Sequence, residues 1–113
     1  MMLVFGALLL AGIQAVTPSN EVADPQIVAQ ALDRCMTTYA VRLTKTEATD
    51  EAIFADATRA CSALDEQLKG ALKEKLPPAQ ASDLIAQMDA SSKPNFMALI
   101  AKIRRDRAAR SAN

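Results

Sequence analysis

Two apolar stripes of helical period dominate the middle of the chain. Val28, Leu32, Cys35, Tyr39 and Leu43 recur at steps of three or four, and Ile53, Ala57, Cys61, Leu64, Leu68 and Leu72 do the same. Residues so spaced lie along one side of an α-helix. Between the stripes, residues 44–50 read Thr-Lys-Thr-Glu-Ala-Thr-Asp, a polar run suited to a short connection between helices. The pattern predicts a helical hairpin with arms at about 25–43 and 50–76. The arm ends carry their own signals. Asp24 precedes Pro25, a carboxylate cap followed by a ring whose fixed φ suits the first helical position. Thr49 precedes Asp50 and Glu51, a hydroxyl cap with acids at the positive end of the helix dipole. Pro77-Pro78 stops the second arm, because neither ring nitrogen donates a hydrogen bond.

Folding the stripes together with Cys35 opposite Cys61 sets Leu43 against Ile53, Tyr39 against Ala57, Leu32 against Leu64 and Val28 against Leu68. Every pair is apolar on both sides, so one register serves the packing and a disulfide at once. The bond closes a loop of about 27 residues, for which chain entropy gives about 3.5 kcal/mol. The alternatives are a pair of buried free thiols, or a bond that works as a redox-sensitive switch.

Beyond the hairpin, Leu84, Ile85 and Met88 give a short apolar face to a helix over about 78–90. Ser91-Ser92-Lys93-Pro94 interrupts it. Ser92 as cap with Pro94 in the first turn starts a fourth helix, and a kinked continuation of the third is the alternative. Phe96, Leu99, Ile100 and Ile103 then form an amphipathic stripe. Gly70 sits inside the second arm, where it permits either a bend or a close crossing of helices. The expected fold is all-α: three to four helices, a disulfide-closed antiparallel hairpin followed by one or two shorter helices. A single domain spans 25–108 and a disordered tail 109–113.

Composition qualifies the core. Half of the chain is apolar, but 23 of those residues are Ala and Trp is absent. Ala favours helix yet buries little area, and a core this thin calls for a staple or an oligomer partner. Residues 1–16 are an uncharged apolar run followed by small and polar residues. It is short for a membrane span and reads as a signal peptide over 1–15, cut after Ala15, with a flexible lead over 16–24. No Lys or Arg precedes the run, and an uncleaved membrane anchor is the alternative. Export to the periplasm or beyond puts both cysteines in an oxidising compartment, where an even count reads as a disulfide.

The formal net charge of zero hides a division. Residues 21–76 carry ten acids and seven bases, and residues 77–113 three acids and six bases. Lys102, Arg104, Arg105, Arg107 and Arg110 crowd the end of the chain. Their ordinary role is a solvated end that complements the negative pole of a helix. Their functional role would be contact with an anionic envelope surface or an acidic partner protein. No aromatic residues interleave with these bases, so nucleic acid is not an expected partner. The chain has no His, no Cys-x-x-Cys and only three scattered Gly. Those absences remove the commonest general base and metal ligand, thiol redox pairs and phosphate-binding loops. No catalytic residue, metal or cofactor is expected, and the protein reads as a non-enzyme.

Two resemblances bear on function. Cys35-x-x-x-Tyr39-Ala40, Glu51-Ala52-Ile53 and Ala57-x-x-x-Cys61 resemble small exported helical proteins of alphaproteobacteria that carry two cysteines in a hairpin. That group has no assigned activity, so the likeness implies export and the disulfide and carries no site residue across. Leu76-Pro77-Pro78-Ala79-Gln80 resembles, over five residues only, the Leu-Thr-x-x-Gln motif of Spy-like periplasmic stress chaperones, with Pro77 in place of the Thr. The chain is also similar in architecture to single-disulfide helical acid-stress chaperones. The functional expectation is a structural or binding protein of the cell envelope, stress-related or chaperone-like. Its alternative is peripheral docking through the basic C-terminal helix.

Overall fold

The computed structural model describes residues 23–112. The expected signal peptide and most of the lead lie outside them. The described residues form four helices and no strand: α1 (Pro25–Leu43), α2 (Asp50–Ala60), α3 (Ser62–Lys75) and α4 (Pro78–Ala112). The fold is all-α and is closed by a Cys35–Cys61 disulfide.

Both predicted helix starts are in place. The Asp24 carboxylate accepts from the Gln26 amide at 2.9 Å, with Pro25 opening the helix. The Thr49 hydroxyl accepts from the Ala52 amide at 3.1 Å. Each satisfies an amide that a helix start would otherwise leave without a partner. The connector closes through its own threonines. The Thr44 hydroxyl donates to the Val41 carbonyl at 3.0 Å, and the Thr46 hydroxyl accepts from the Ala48 amide at 3.2 Å.

The predicted second arm is two helices in line. Cys61 stands between them with φ −101° and ψ 12°, outside the helical region. Its amide still reaches the Ala57 carbonyl at 2.9 Å, and the Asp65 amide reaches the Cys61 carbonyl at 3.2 Å. The kink is therefore confined to the residue that carries the disulfide. Gly70, expected to permit a bend or a close crossing, lies inside α3 with open space where a Cβ would stand.

In the C-terminal part the sequence leaves two readings open, a fourth helix begun at Ser92 or a continuation of the third through Pro94. The structure has the continuation, one helix of 35 residues with Pro94 inside it, about 52 Å long and so longer than expected. It continues through Arg110 to Ala112, past the boundary expected at residue 108. Pro94 removes one amide, and with it the bond to the Ala90 carbonyl. Ala90 is exposed, so water can take that carbonyl. The helix is anchored on both sides of the break, by Ile85 and Met88 before it and by Phe96 and Ile100 after it. Extending a helix already nucleated on both sides costs less than starting a new one.

α1, the α2–α3 arm and α4 run up, down and up, and each packs against the other two. Two apolar clusters result. At the connector end, Ala40, Ile53, Ala57, Phe96 and Ile100 are buried, with Met36, Tyr39, Leu43 and Phe54 against them. At the open end, Val28, Leu68 and Leu72 are buried, with Leu32, Leu64, Ile85 and Met88 around them. The four apolar pairs expected from the Cys35–Cys61 register divide two and two between these clusters. Leu43 with Ile53 and Tyr39 with Ala57 fall in the first, and Leu32 with Leu64 and Val28 with Leu68 in the second.

Candidate functional site

The disulfide stands at the junction of the two clusters. Its sulfurs are 2.11 Å apart and its Cα atoms 6.0 Å apart. Cys61 is buried and Cys35 half-buried. No free thiol remains among the described residues.

Beside it runs an open groove. Core-facing positions of α4 recur at Ala81, Ile85, Met88, Ser92, Phe96, Ile100 and Ile103, every three or four residues. All but Ser92 are apolar. At the junction the helix therefore presents a hydroxyl, with Asp89 beside it, where a large apolar residue would close the gap. A groove of about 480 Å³ results, bounded by Ala29, Leu32, Asp33, Met36 and Thr37 of α1 and by Met88, Asp89, Ser92, Asn95 and Leu99 of α4. A neighbouring recess of about 370 Å³ shares Leu32, Met36, Asp65, Asp89 and Ser92 and adds Phe54, Thr58, Cys61 and Lys69. These volumes are in the range of small-ligand and peptide-anchor sites. The floor is apolar and half-buried: Met36 and Leu99 pack on the cluster of the buried Phe96, and Leu32 and Met88 on the cluster of Val28, Leu68 and Leu72.

The charges at this junction are mostly acidic. Lys69 donates to Asp65 at 3.0 Å on its own helix and to Asp89 at 3.2 Å across to α4. The hydrogen bond to Asp65 raises the Lys69 pKa above 10.5; burial opposes this, and Asp89 adds to it. Lys69 thus stays an ammonium ion and ties α3 to α4. Asp33 lines the same groove without an ion pair among the described residues.

The five basic residues singled out in the sequence do not form one surface. Arg104 pairs with Asp50 at 2.8 Å. Arg107 donates to the Thr44 hydroxyl at 3.0 Å and to the Val41 carbonyl at 3.3 Å, so it caps the end of α1. Lys102 binds Asp106 one turn on at 2.7 Å. That hydrogen bond holds the Asp106 carboxyl below its usual 3.8, and the positive charges of Arg105 and Arg110 act in the same direction. Arg105 and Arg110 are exposed. The apolar stripe that would enter a lipid surface is turned inward, since Phe96 and Ile100 are buried. Lys93, a base not singled out beforehand, pairs with Glu51 at 2.7 Å and lies 6.0 Å from the Phe54 ring centre.

Among the described residues no group of three or more Cys, Asp or Glu comes together to hold a metal ion, and no helix is long and apolar enough to cross a membrane. The disulfide points to a compartment outside the reducing cytoplasm. The fold and the groove define a class: a small disulfide-closed helical bundle with one open, acidic-rimmed cleft at its waist. Compared with known proteins, the chain matches no family model, no curated protein and no solved structure.

Proposed function

We propose that this is a small exported, non-enzymatic binding protein of the periplasm, with a chaperone-like role, and that the waist groove is its binding surface. One observation carries the reading. Leu32, Met36, Met88 and Leu99 floor a groove of about 480 Å³ that the fold leaves open between its two apolar clusters. Methionine suits a surface that must accept varied apolar groups, being unbranched and polarizable. The alternative reading, docking through the basic end of α4, has less support. Arg104 and Arg107 are engaged inside the molecule, and the exposed Arg105 stands on a face whose neighbours are Ala98, Ala101 and Ala109.

The test is light scattering from a heat-unfolding client protein in the presence of excess purified protein. The reading expects scattering to be delayed, and the delay to vanish in Ser92→Trp, where an indole fills the mouth of the groove. Asn95→Trp, from the same rim, guards against a local folding defect. A delay that survives both variants would place the binding surface elsewhere. No delay with the unaltered protein would remove the chaperone-like role.

A further inference from the structure

We infer that the groove selects cationic amphipathic peptide segments, with Lys or Arg side chains alternating with bulky apolar ones. The inference rests on reading the groove as the binding surface. Its rim holds three carboxylates, Asp33, Asp65 and Asp89. The lining residues supply one ammonium against them, Lys69, which is shared between Asp65 and Asp89 at 3.0 and 3.2 Å. One positive charge among three negative ones leaves a net negative groove. Field lines concentrate in such a cleft, and a cation is drawn to it. Asp33 has no ion-pair partner among the described residues, so an incoming ammonium or guanidinium can pair with it without breaking an existing bond. Asp89 has one partner and, as an exposed carboxylate, can accept a second.

The dimensions favour a chain segment over a single small cation. The wall on α1 runs from Ala29 to Thr37 and that on α4 from Met88 to Leu99, about 12 and 16 Å at the helical rise. An extended chain covers that distance in about four or five residues. Alternate side chains then fall on one face, so apolar residues reach the Met36 and Phe96 floor while bases between them reach the carboxylate rim. The N-terminal segment of the chain itself lacks the complement, since residues 1–22 contain no Lys or Arg. A second copy's basic end is a poor fit too: Arg104 and Arg107 are engaged, and the exposed Arg105 and Arg110 are separated by Asp106, Arg107, Ala108 and Ala109, with no bulky apolar residue between them.

The experiment is fluorescence anisotropy with three labelled, end-blocked pentapeptides at low salt: lysine alternating with phenylalanine, glutamate alternating with phenylalanine, and lysine alternating with serine. The first is expected to bind at least about tenfold tighter than either of the others, a margin that an apolar anchor and a few partly exposed charge pairs can supply together. Asp33→Asn and Asp89→Asn are each expected to weaken it about threefold, and salt to weaken it further. Both variants change exposed side chains, and their melting temperatures report whether folding is intact. Equal binding of the lysine and glutamate peptides, lost in Ser92→Trp, would overturn the charge selection and leave the groove as the binding surface. Binding of no peptide, or binding indifferent to Ser92→Trp, would overturn both. A lysine–serine peptide as tight as the lysine–phenylalanine one would reduce the site to a general attraction for cations and overturn the amphipathic requirement.

Discussion

The two ends of the bundle are built differently. At the connector end, Ile53 and Ile100 are fully buried, and Phe54 and Phe96 meet with ring centres 5.5 Å apart. Three polar contacts surround that core: Arg107 on the end of α1, Arg104 on Asp50 and Lys93 on Glu51. At the open end Val28, Leu68 and Leu72 form the buried cluster, with Ala71 and Ala81 also buried; Ile27 and Leu84 stay exposed there at 62% and 36%, as Val41 does at the connector end at 39%. Among the described residues, the Lys69–Asp89 bridge alone crosses to α4 near that end, and it lies at the waist. The aromatic residues of the two clusters, Tyr39, Phe54 and Phe96, all lie at the connector end, while the open end is packed by aliphatic residues and Met88. A binding groove fits where the aromatic-packed half stops.

The comparison is broken most directly by cutting matched residues. Ile100→Ala is expected to destabilise by about 4 kcal/mol, since it leaves a cavity in a core with no slack. Leu68→Ala at the open end, which removes the same three carbons, is expected to cost about 2.5 kcal/mol. Urea unfolding of both variants checks this, and equal losses would mean that the ends are equivalent.

Replacing both cysteines by Ser is expected to cost about 3.5 kcal/mol. The loss should fall unevenly, with amides of α3 and the start of α1 losing protection before those of α2. Two-dimensional NMR during exchange would show whether the open end goes first.

Gly70→Ala sharpens the contrast from the other side. The position is helical with open space around it, so Ala should stabilise α3 by about 0.5–1 kcal/mol. A lower melting temperature would mean that Gly70 has a role in packing that the open space does not show.

The smallest effect concerns pH. Because the Lys69 pKa is raised on folding, its contribution is complete below its ordinary value of 10.5 and is lost as pH rises through the higher folded value. Stability of the unaltered protein and of Lys69→Met should therefore run parallel at neutral pH and converge only above about pH 10.5. Convergence below pH 9 would rule out the raised value.

The hairpin was legible in the sequence because two independent signals agree there. The apolar spacing and the cysteine positions select one register, and Asp24 and Thr49 cap helices where their residue types say they should. Pro94 leaves two readings open because a breaker is a local signal, compatible with a new helix or with a continuation of the old one. A non-local one was also present: Ala81, Ile85, Met88, Ser92, Phe96 and Ile100 keep helical phase through the proline, as a continuous helix requires and two helices with a turn between them do not. The kink at Cys61 left no such trace, since the hydrogen bonds on either side of it are ordinary. The groove was not foreseen, because it arises from a missing apolar residue at Ser92 opposite Met36, which becomes visible only once α4 is laid across the hairpin. The basic cluster looked like one surface because its residues are close in sequence. A helix turns successive residues to different sides, so Arg104 and Arg107 face the hairpin while Arg105 faces solvent.

Native-state hydrogen exchange of the oxidised protein, resolved by residue in low denaturant, tests the two-ended account most directly. The account predicts that amides around Ile53, Ala57 and Ile100 exchange only by global unfolding. Those of residues 26–32 and 66–74 should open at distinctly lower free energy, as one unit. Uniform protection from end to end would contradict it, and the bundle would then be a single cooperative core with the groove an incidental gap in its surface.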